Sequence, residues 1–164
     1  ANLDNYSVCG GEIGAQAKWN NGFGARFTYA YTKEQLAKDK DGNTINNQYI
    51  PAREHALNAR VDFDRQLTKT YGLNIALQGR VLSGVENVEY KDYYDVSKGT
   101  ISVEYPAYTI WKLSVVQRVG KAVKVNVALD NLFGYKPKYY YLNSPITDGI
   151  NLQIGMSIDI DKIF

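Results

Sequence analysis

Charged side chains stand at positions that alternate with apolar ones in several short runs of the sequence. In one run Arg26 lies between two apolar residues, and in another Arg60 and Asp62 flank Val61. Because successive side chains of a β-strand point to opposite faces, this period of two would collect the charges on one face. The charged set that the pattern defines is Arg26, Arg60, Asp62, Arg80, Lys112 and Arg118.

The chemistry open to this charged set is non-covalent binding. Guanidinium, ammonium and carboxylate groups form charge-assisted hydrogen bonds, and water bridges groups that do not meet directly. The set would therefore hold a polar body against its face, or it would be a solvated face, and the sequence leaves both interpretations open.

Tyrosine is unusually abundant, at 14 of 164 residues, and much of it falls in long polar connections. A tyrosine ring offers broad apolar area, one polar handle and few rotatable bonds, which suits it to ligand contact. The predicted ligand-binding residues are Tyr90, Tyr93, Tyr94, Tyr139, Tyr140 and Tyr141. Packing between loops or an interfacial aromatic belt is the alternative, and the belt is the prediction for Trp19, Tyr29, Tyr31 and Tyr108 near strand ends.

Catalytic and metal chemistry have few candidate residues. One histidine, His55, and one cysteine, Cys9, allow neither an internal disulfide nor a thiolate metal site. A hydrolase would need His55 to pair with Ser83 or Ser114 across strands, and no Gly-x-Ser-x-Gly turn supports it. His55 could also ligate haem, but its place at a strand start favours a structural role. We predict no catalytic residue, no metal, no cofactor and no enzymatic activity.

Charge and hydropathy narrow the class of protein. Lysine and arginine total 19 against 17 aspartate and glutamate, and a net charge of +2 is not the strongly basic field that nucleic-acid binding requires. No apolar run approaches the ~20 residues of a membrane-spanning helix, so any membrane crossing must be made by strands. β-Branched, aromatic and glycine residues dominate, which predicts an all-β fold without a nucleic-acid partner.

The segment 149–164 carries the clearest strand pattern. Its two predicted faces hold Ile150, Leu152, Ile154, Met156, Ile158 and Ile160 on one side and Asn151, Gln153, Gly155, Ser157 and Asp159 on the other. Phe164 falls in phase with the apolar face, and Lys162 interrupts that phase near the end. We predict a membrane β-strand that runs to Phe164; an amphipathic strand over a soluble core is the alternative.

Six further segments share this alternation, which predicts seven antiparallel strands in all. The predicted strands lie at about 8–19, 23–32, 51–64, 71–82, 111–119, 123–129 and 149–164. Short links follow the first, third and fifth strands, and long links follow the second, fourth and sixth. Short periplasmic turns and long extracellular loops are typical of outer-membrane β-barrels, so we expect a transmembrane barrel in the bacterial outer membrane.

The odd number of strands predicts that residues 1–164 are the C-terminal part of a larger barrel. Single-chain bacterial barrels usually have an even count and both termini in the periplasm, whereas the first strand here would begin outside. Open sheet edges in hydrocarbon would leave backbone groups without partners. We therefore expect an N-terminal remainder of the protein and outer-membrane lipid as partners of this chain.

Several motifs, taken in order along the chain, resemble those of TonB-dependent outer-membrane receptors. The element VNVALDNLFGY at 125–135 is similar to the NLF element near the end of these receptors. Gly11 and Glu12 resemble a strand start, and PAREH at 51–55 resembles a strand entry. The segment YTIWKLS at 108–114 resembles a later strand in which Lys112 replaces the usual acid. PITDG at 145–149 stands where the family often has PGR, without the arginine.

The resemblance implies a barrel of about 22 strands with an N-terminal plug, driven from the periplasm by the TonB complex. The charged set would face the lumen and the plug, and the loop tyrosines would contact a scarce nutrient. Ferric siderophores, haem and cobalamin are the implied ligands, and KPKYYY at 136–141 is similar to Bacteroides-type receptors for haem or cobalamin. Some subfamilies also have a surface lipoprotein as a partner.

A small complete outer-membrane barrel with a structural or adhesive role is the alternative function. Such a barrel needs an even, closed set of strands, so an eighth strand would have to lie within a long connection. Residues 100–105, TISVEY, alternate and are the candidate for that strand.

Overall fold

The computed structural model describes residues 7–35, 52–92, 94–137, 147 and 149–162. The strands in these ranges are β1 Ser7–Lys18, β2 Phe23–Gln35, β3 His55–Gln66, β4 Tyr71–Leu82, β5 Val85–Tyr90, β6 Thr100–Tyr105, β7 Tyr108–Val119, β8 Val123–Asp130 and β9 Asn151–Ile158. Two 3-10 turns lie at Val96–Lys98 and Ile160–Lys162. The all-β prediction is confirmed. Within the described ranges no helix has the length and apolar character needed to cross a membrane.

Seven of the strands form one sheet in the order β1-β2-β3-β4-β7-β8-β9. Neighbours in this sheet follow one another along the chain, and β7 lies beside β4 because β5 and β6 form a separate sheet. The pairs β7–β8 and β8–β9 are antiparallel. These seven strands match the seven predicted from the alternation, so that prediction is confirmed.

The register of the last three strands separates apolar from polar side chains. Val127 lies opposite Val115 on one side and Ile154 on the other, which places three apolar side chains in one row. The next row pairs Ala128 with Gln153. Because the side-chain period is two, a slip by one residue would exchange the rows, so the alternation specifies the register.

Large apolar side chains on these strands remain exposed. Ile154 is 71% exposed and Met156 66% exposed. The exposed apolar residues in phase with the apolar rows also include Trp19, Phe23, Phe27, Val61, Ile75, Val119, Leu152 and Ile158. An apolar surface of this extent requires an apolar neighbour to cover it.

Glycine makes the short turns possible. In the β1–β2 turn Gly22 has φ +99° and donates its N–H to the carbonyl of Trp19 over 3.1 Å. A Cβ at Gly22 would lie 2.8 Å from the carbonyl oxygen of Asp64, so the turn requires glycine for space as well as for conformation. Gly120, with φ +62°, lies in the β7–β8 turn and donates its N–H to the carbonyl of Thr70 over 2.7 Å. The predicted short links are confirmed.

The strand candidate at 100–105 does form a strand, β6, but not an eighth strand of the large sheet. β6 pairs with β5 as a separate two-stranded sheet that runs from Val85 opposite Tyr105 to Tyr90 opposite Thr100. The preceding segment thus supplies a local antiparallel partner for β6, and a local hairpin costs less loop-closure entropy than a distant pairing. Residues 100–105 therefore do not supply the eighth strand of the sheet that the alternative of a small complete barrel would need.

The last strand is shorter than predicted. β9 ends at Ile158, and residues Ile160–Lys162 form a 3-10 turn instead of continuing the strand. The reason is that its neighbour β8 begins at Val123, which pairs with Ile158, so beyond this point the sheet offers only the bond from Asp159 N–H to the carbonyl of Ala122, at 2.8 Å. Phe164 lies outside the described residues.

The contacts of the chain divide it into two compact units. One comprises Ala1–Ile13, Tyr29–Ala56 and Leu82–Tyr108; the other comprises Gly14–Thr28, Leu57–Val81 and Thr109–Phe164. All six residues of the charged set belong to the second unit, whereas His55 and the β5–β6 hairpin belong to the first.

Candidate functional site

Arg26 reaches across from β2 to β1 on the polar face of the second unit. Its Nε and Nη2 atoms both donate to Oε1 of Gln16, over 3.2 and 2.9 Å. Gln16 is neutral, so this contact satisfies hydrogen-bond donors of Arg26 without neutralising its charge.

Arg60 on β3 links an acid and an amide. Its Nε donates to Oδ1 of Asp62 over 3.0 Å, and its Nη1 donates to Oε1 of Gln78 on β4 over 3.2 Å. The carboxylate of Asp62 occupies space over Gly24, where a Cβ would come within 3.0 Å of it. The pair is partly exposed, so its net contribution to stability is at most about 1 kcal/mol.

Lys112 on β7 pairs with Asp130 at the end of β8. The Nζ to Oδ1 distance is 2.9 Å, and about one third of each side chain is exposed, at 34% and 32%. Asp130 was missed by the sequence analysis. The sequence pattern does contain this residue, because Asp130 lies an even number of positions from Lys124 and Asn126 and so falls on the same polar face of β8.

Arg118 on β7 extends over β4 to reach β3. Its Nη2 donates to Oδ1 of Asp64 over 2.6 Å. A Cβ at Gly72 of β4 would lie 2.7 Å from Nε of Arg118, so the glycine opens the path for the guanidinium group. The ion pair therefore ties together three successive strands.

Four of the six predicted residues line one concavity of about 520 Å³: Arg26, Arg60, Arg80 and Lys112. Asp130 is the carboxylate among the lining residues. The other lining side chains include neutral amides and hydroxyls that the charge pattern could not reveal, namely Thr28, Asn58 and Gln78. A second concavity of about 330 Å³ shares Arg26 and Arg60 and adds Asp62 and Asp64, the partner of Arg118.

Two of the predicted ligand-binding tyrosines lie within the described residues. Tyr90 ends β5 opposite Thr100 and is partly buried. Tyr94 is fully exposed in the connection that follows, at 101%. Tyr93, Tyr139, Tyr140 and Tyr141 lie outside the described residues. Ligand contact by these tyrosines stays a prediction.

The connection between β5 and β6 is organised by two aspartates. Asp92 accepts the backbone N–H of Tyr94 over 2.9 Å and pairs with Nζ of Lys98 at 2.6 Å. Asp95 accepts the N–H of Ser97 at the start of the 3-10 turn, over 3.2 Å. The bond to Lys98 is the main reason that the pKa of Asp92 lies below its ordinary value.

His55 lies in an aromatic cluster in the first unit. Its Nδ1 is 2.7 Å from the hydroxyl of Tyr29, and its ring centroid is 5.3 Å from that of Tyr31. In β3 His55 has the phase of Leu57 and Phe63, so it shares their apolar face and not the face of the charged set. This placement supports the predicted structural role over haem ligation.

The serine partners that a hydrolase would need are engaged differently. Oγ of Ser83 accepts the backbone N–H of His55 over 3.1 Å, while the imidazole contacts Tyr29. Oγ of Ser114 donates to the carbonyl of Ala76 over 3.4 Å. In the part of the chain that the structure describes, no group of three His, Cys, Asp or Glu side chains is placed to hold a metal ion.

Asn131, the asparagine of the NLF element, joins two segments of chain at the end of β8. The residue is 3% exposed and has φ +52°. Its Nδ2 lies 2.7 Å from the carbonyl of Tyr135, 2.9 Å from Oγ1 of Thr147 and 3.1 Å from the carbonyl of Gly149. Its Oδ1 accepts the N–H of Tyr135 over 2.9 Å. The side chain thus fixes the chain after β8 to the chain before β9.

The sheet and its two faces define a class of protein. Antiparallel strands with one exposed apolar face, one charged face, and short turns alternating with long connections are the features of transmembrane β-barrels. The sequence model described as "TonB dependent receptor-like, beta-barrel" matches residues 1–132. The chain belongs to this family, as its motifs predict.

A solved structure agrees with the family on the fold. The FrpB iron transporter from Neisseria meningitidis (F3-3 variant) superposes with a TM-score of 0.63 at 16% sequence identity, over 93% of this chain. The chain spans 23% of the length of that transporter chain. A search of curated proteins finds no match to the sequence.

Proposed function

We propose that the protein is an outer-membrane receptor that takes up a scarce nutrient with energy supplied through the TonB complex. In this proposal residues 1–164 are a C-terminal portion of its barrel. The family match carries the proposal, and the two-faced sheet supports it, because a strand that separates lipid from a polar lumen needs this alternation.

The proposal assigns a role to each face. The exposed apolar face contacts outer-membrane lipid, and the charged set of Arg26, Arg60, Asp62, Arg80, Lys112 and Arg118 faces the lumen and an N-terminal plug. Ion pairs such as that of Lys112 with Asp130 are partly exposed, and exposed pairs contribute little individually. Contacts of this strength would let a plug rearrange under a pulling force.

The nutrient in this proposal is a ferric siderophore, haem or cobalamin. The solved relative is named as an iron transporter, which favours an iron-containing ligand. Contact with the ligand is assigned to the loop tyrosines, Tyr90, Tyr93, Tyr94, Tyr139, Tyr140 and Tyr141. The N-terminal remainder connects the chain to the TonB complex, and a surface lipoprotein is a further proposed partner.

An uptake assay tests this function. A strain without the gene is compared with the parent and with a strain without TonB for accumulation of a radiolabelled ferric siderophore, haem and cobalamin. We expect one compound whose uptake requires both the gene and TonB. Uptake of all three by the strain without the gene at the parental rate would contradict the proposal. A single heat-modifiable species of 18.5 kDa in the outer membrane would instead support a small complete barrel.

A further inference from the structure

The β5–β6 hairpin is joined to the rest of the chain by two short junctions. Residues 83–84 link β4 to β5, and residues 106–107 link β6 to β7. The two junctions lie side by side, since a Cβ at Gly84 would lie 3.3 Å from the backbone nitrogen of Ala107. Because the junctions are so short, their conformation determines how the hairpin is held.

Arg53, which precedes β3, contacts both junctions. Its Nη1 atom donates to the carbonyl of Ser83 in the first junction and to the carbonyl of Pro106 in the second, the latter over 2.9 Å. Its guanidinium group lies over the ring of Tyr108, with Cζ 4.7 Å from the ring centroid. One side chain therefore connects the start of β3 with both junctions of the hairpin.

Bonds of His55 add to this contact at the first junction. The backbone N–H of Ser83 donates to the carbonyl of His55 over 2.9 Å, and the N–H of His55 donates to Oγ of Ser83 over 3.1 Å. These bonds fix the first junction, whereas the bond from Arg53 to Pro106 reaches the second. Arg53 thus links to β3 a part of the hairpin base that these bonds of His55 do not hold.

Arginine is suited to this double contact. Hydrogen bonds from a charged donor are stronger than those between neutral groups. A guanidinium plane can also stack on an aromatic ring while its N–H groups donate within the plane. An ammonium group is a compact point charge without this planar geometry. Arg53→Lys would therefore keep the charge but not the full set of contacts.

The hairpin carries two of the predicted ligand-binding tyrosines at the end away from the junctions. Val85 pairs with Tyr105 next to the junctions, and Tyr90 pairs with Thr100 at the other end, before the connection that contains Tyr94. Five steps along the strand, at roughly 3.3 Å each, place Tyr90 about 17 Å from the first pair. A rotation of about 10° at the junctions would thus move Tyr90 by about 3 Å, which is about the length of a hydrogen bond.

We propose that Arg53 is a positioning residue of the receptor, which holds the β5–β6 hairpin in the orientation that presents Tyr90 and Tyr94 to the nutrient. The inference rests on the proposed function, since it takes these tyrosines as ligand contacts. Arg53 acts through the hairpin and does not touch the nutrient. Without Arg53, binding would have to order the hairpin, and this entropic cost would lower the affinity for the nutrient.

Three variants of the full-length protein test this role. Arg53→Gln removes the charged group and its contact with the ring of Tyr108. Arg53→Lys keeps the charge. Arg65→Gln is the matched control, because it makes the same change at an exposed arginine near the other end of β3. Heat-modifiability on a gel measures how much of each variant is folded in the outer membrane.

The first measurement is the orientation of the hairpin, from the distance between two spin labels in the protein in lipid vesicles. The labels are attached through Val8→Cys on β1 and Ser102→Cys on β6, both at exposed positions. The native cysteines, including the exposed Cys9, are replaced by serine. We expect one narrow distance distribution for the parent and for Arg65→Gln, a broad one for Arg53→Gln and an intermediate one for Arg53→Lys.

The second measurement is TonB-dependent uptake of a radiolabelled ferric siderophore, haem and cobalamin. For the compound that the parent takes up, we expect Arg53→Gln to raise the half-saturating concentration at least about fivefold, Arg53→Lys less, and Arg65→Gln less than about twofold. The saturated uptake rate per folded receptor should stay near that of the parent. A residue needed only for folding would instead lower the amount of folded receptor and leave the half-saturating concentration unchanged, and that result would overturn the proposal.

Two further results would also overturn it. One is the same distance distribution for Arg53→Gln as for Arg65→Gln. The other is a broad distribution for Arg53→Gln with an unchanged half-saturating concentration, because the orientation of the hairpin would then have no effect on the nutrient. If Arg53→Gln does not reach the membrane, the same two comparisons with Arg53→Lys decide the question.

The outcome is separable from that of the proposed function. The distance measurement needs no nutrient, and TonB-dependent uptake by the parent protein tests the function without reference to Arg53. If uptake is TonB-dependent and Arg53→Gln has the same half-saturating concentration as Arg65→Gln, the positioning role fails while the receptor function stands.

Discussion

The hydroxyl of Tyr71 on β4 donates to Oε1 of Gln117 on β7 over 3.1 Å. Both residues are in phase with the apolar side chains of their strands, such as Leu73 and Val115. Gln117 interrupts the apolar pattern in the sequence, yet in the fold its amide has a partner on the neighbouring strand. This matters because a polar group without a partner in apolar surroundings is costly.

We predict that Tyr71→Phe destabilises the protein by about 1 kcal/mol, because the part-buried amide of Gln117 loses its hydrogen-bond donor. The double variant Tyr71→Phe with Gln117→Leu should recover most of this loss, because it removes both polar partners. Reversible denaturant unfolding of the full-length protein in lipid vesicles measures the difference. Equal unfolding midpoints for the parent and for Tyr71→Phe would show that the hydrogen bond contributes nothing.

A second prediction concerns the packing of Trp111 on Gly79. A Cβ at Gly79 would overlap Cδ2 of the Trp111 ring. Gly79→Ala must therefore displace the indole. The indole also contacts Phe133 edge-on, with the two ring centroids 6.4 Å apart. We expect a destabilisation of about 1–3 kcal/mol, measured by the same unfolding experiment and by the tryptophan fluorescence maximum.

Gly11→Ala is the control for this packing effect. Gly11 is also a strand glycine, and a Cβ there would meet nothing within 4 Å. The two substitutions make the same chemical change in a strand, so Gly11→Ala should have a near-neutral effect. Similar losses in both variants would assign the effect to the backbone rather than to Trp111.

The alternation in the sequence predicted which charged residues lie on the same face of the sheet. It did not predict which residue each of them contacts. Parity alone places Arg60 and Lys112 on one face, because a strand has a period of two. The partners Gln78 and Asp130 depend on the register between strands, and that register follows from the turns and from the whole sheet. The sequence therefore predicted the charged set, while its pairing and the concavity became visible only in the fold.

The separate pairing of β6 and the early end of β9 have a related cause. Alternation in 100–105 correctly indicated a strand, but the choice of β5 as its partner depends on which segment is close in the chain. The apolar phase of Ile160 continued the last strand in the sequence, although β8 offers no residue for it to pair with. Both cases show that a strand pattern gives the faces of a strand without giving its neighbours.

A third prediction tests Asn131. Asn131→Ala removes the hydrogen bonds to Tyr135, Thr147 and Gly149. It also places alanine at φ +52°, a backbone conformation that asparagine adopts more readily than alanine. We expect a loss of about 2–4 kcal/mol, from unsatisfied polar groups and from backbone strain. Thermal unfolding of the full-length protein measures this loss.

Asn131→Gly separates the two contributions. Glycine accepts a positive φ without strain, so this variant loses only the side-chain bonds. We expect its stability to lie between those of the parent and of Asn131→Ala. If Asn131→Gly were as stable as the parent, the bonds to the chain before β9 would have no role, and backbone conformation alone would explain the asparagine.

The last prediction concerns the pH dependence of the connection between β5 and β6. The pKa of Asp92 is lowered from its ordinary 3.8, chiefly by the bond to Lys98. A lowered folded-state pKa means that the bond stabilises the connection above pH 3.8 and is lost as the pH falls through the lowered pKa. We expect the amide protection factor of Tyr94, corrected for intrinsic exchange, to fall on acidification below that value.

Lys98→Gln supplies the control for this pH dependence. Without the ammonium group, Asp92 loses the main cause of its lowered pKa, so the acid-induced fall in protection of the Tyr94 amide should begin at a higher pH than in the parent. The variant should also show a smaller change between neutral and acid pH, because less electrostatic stabilisation remains to be lost. A parent protein with constant protection over this range, or a variant with the full parental change, would mean that another group controls the connection.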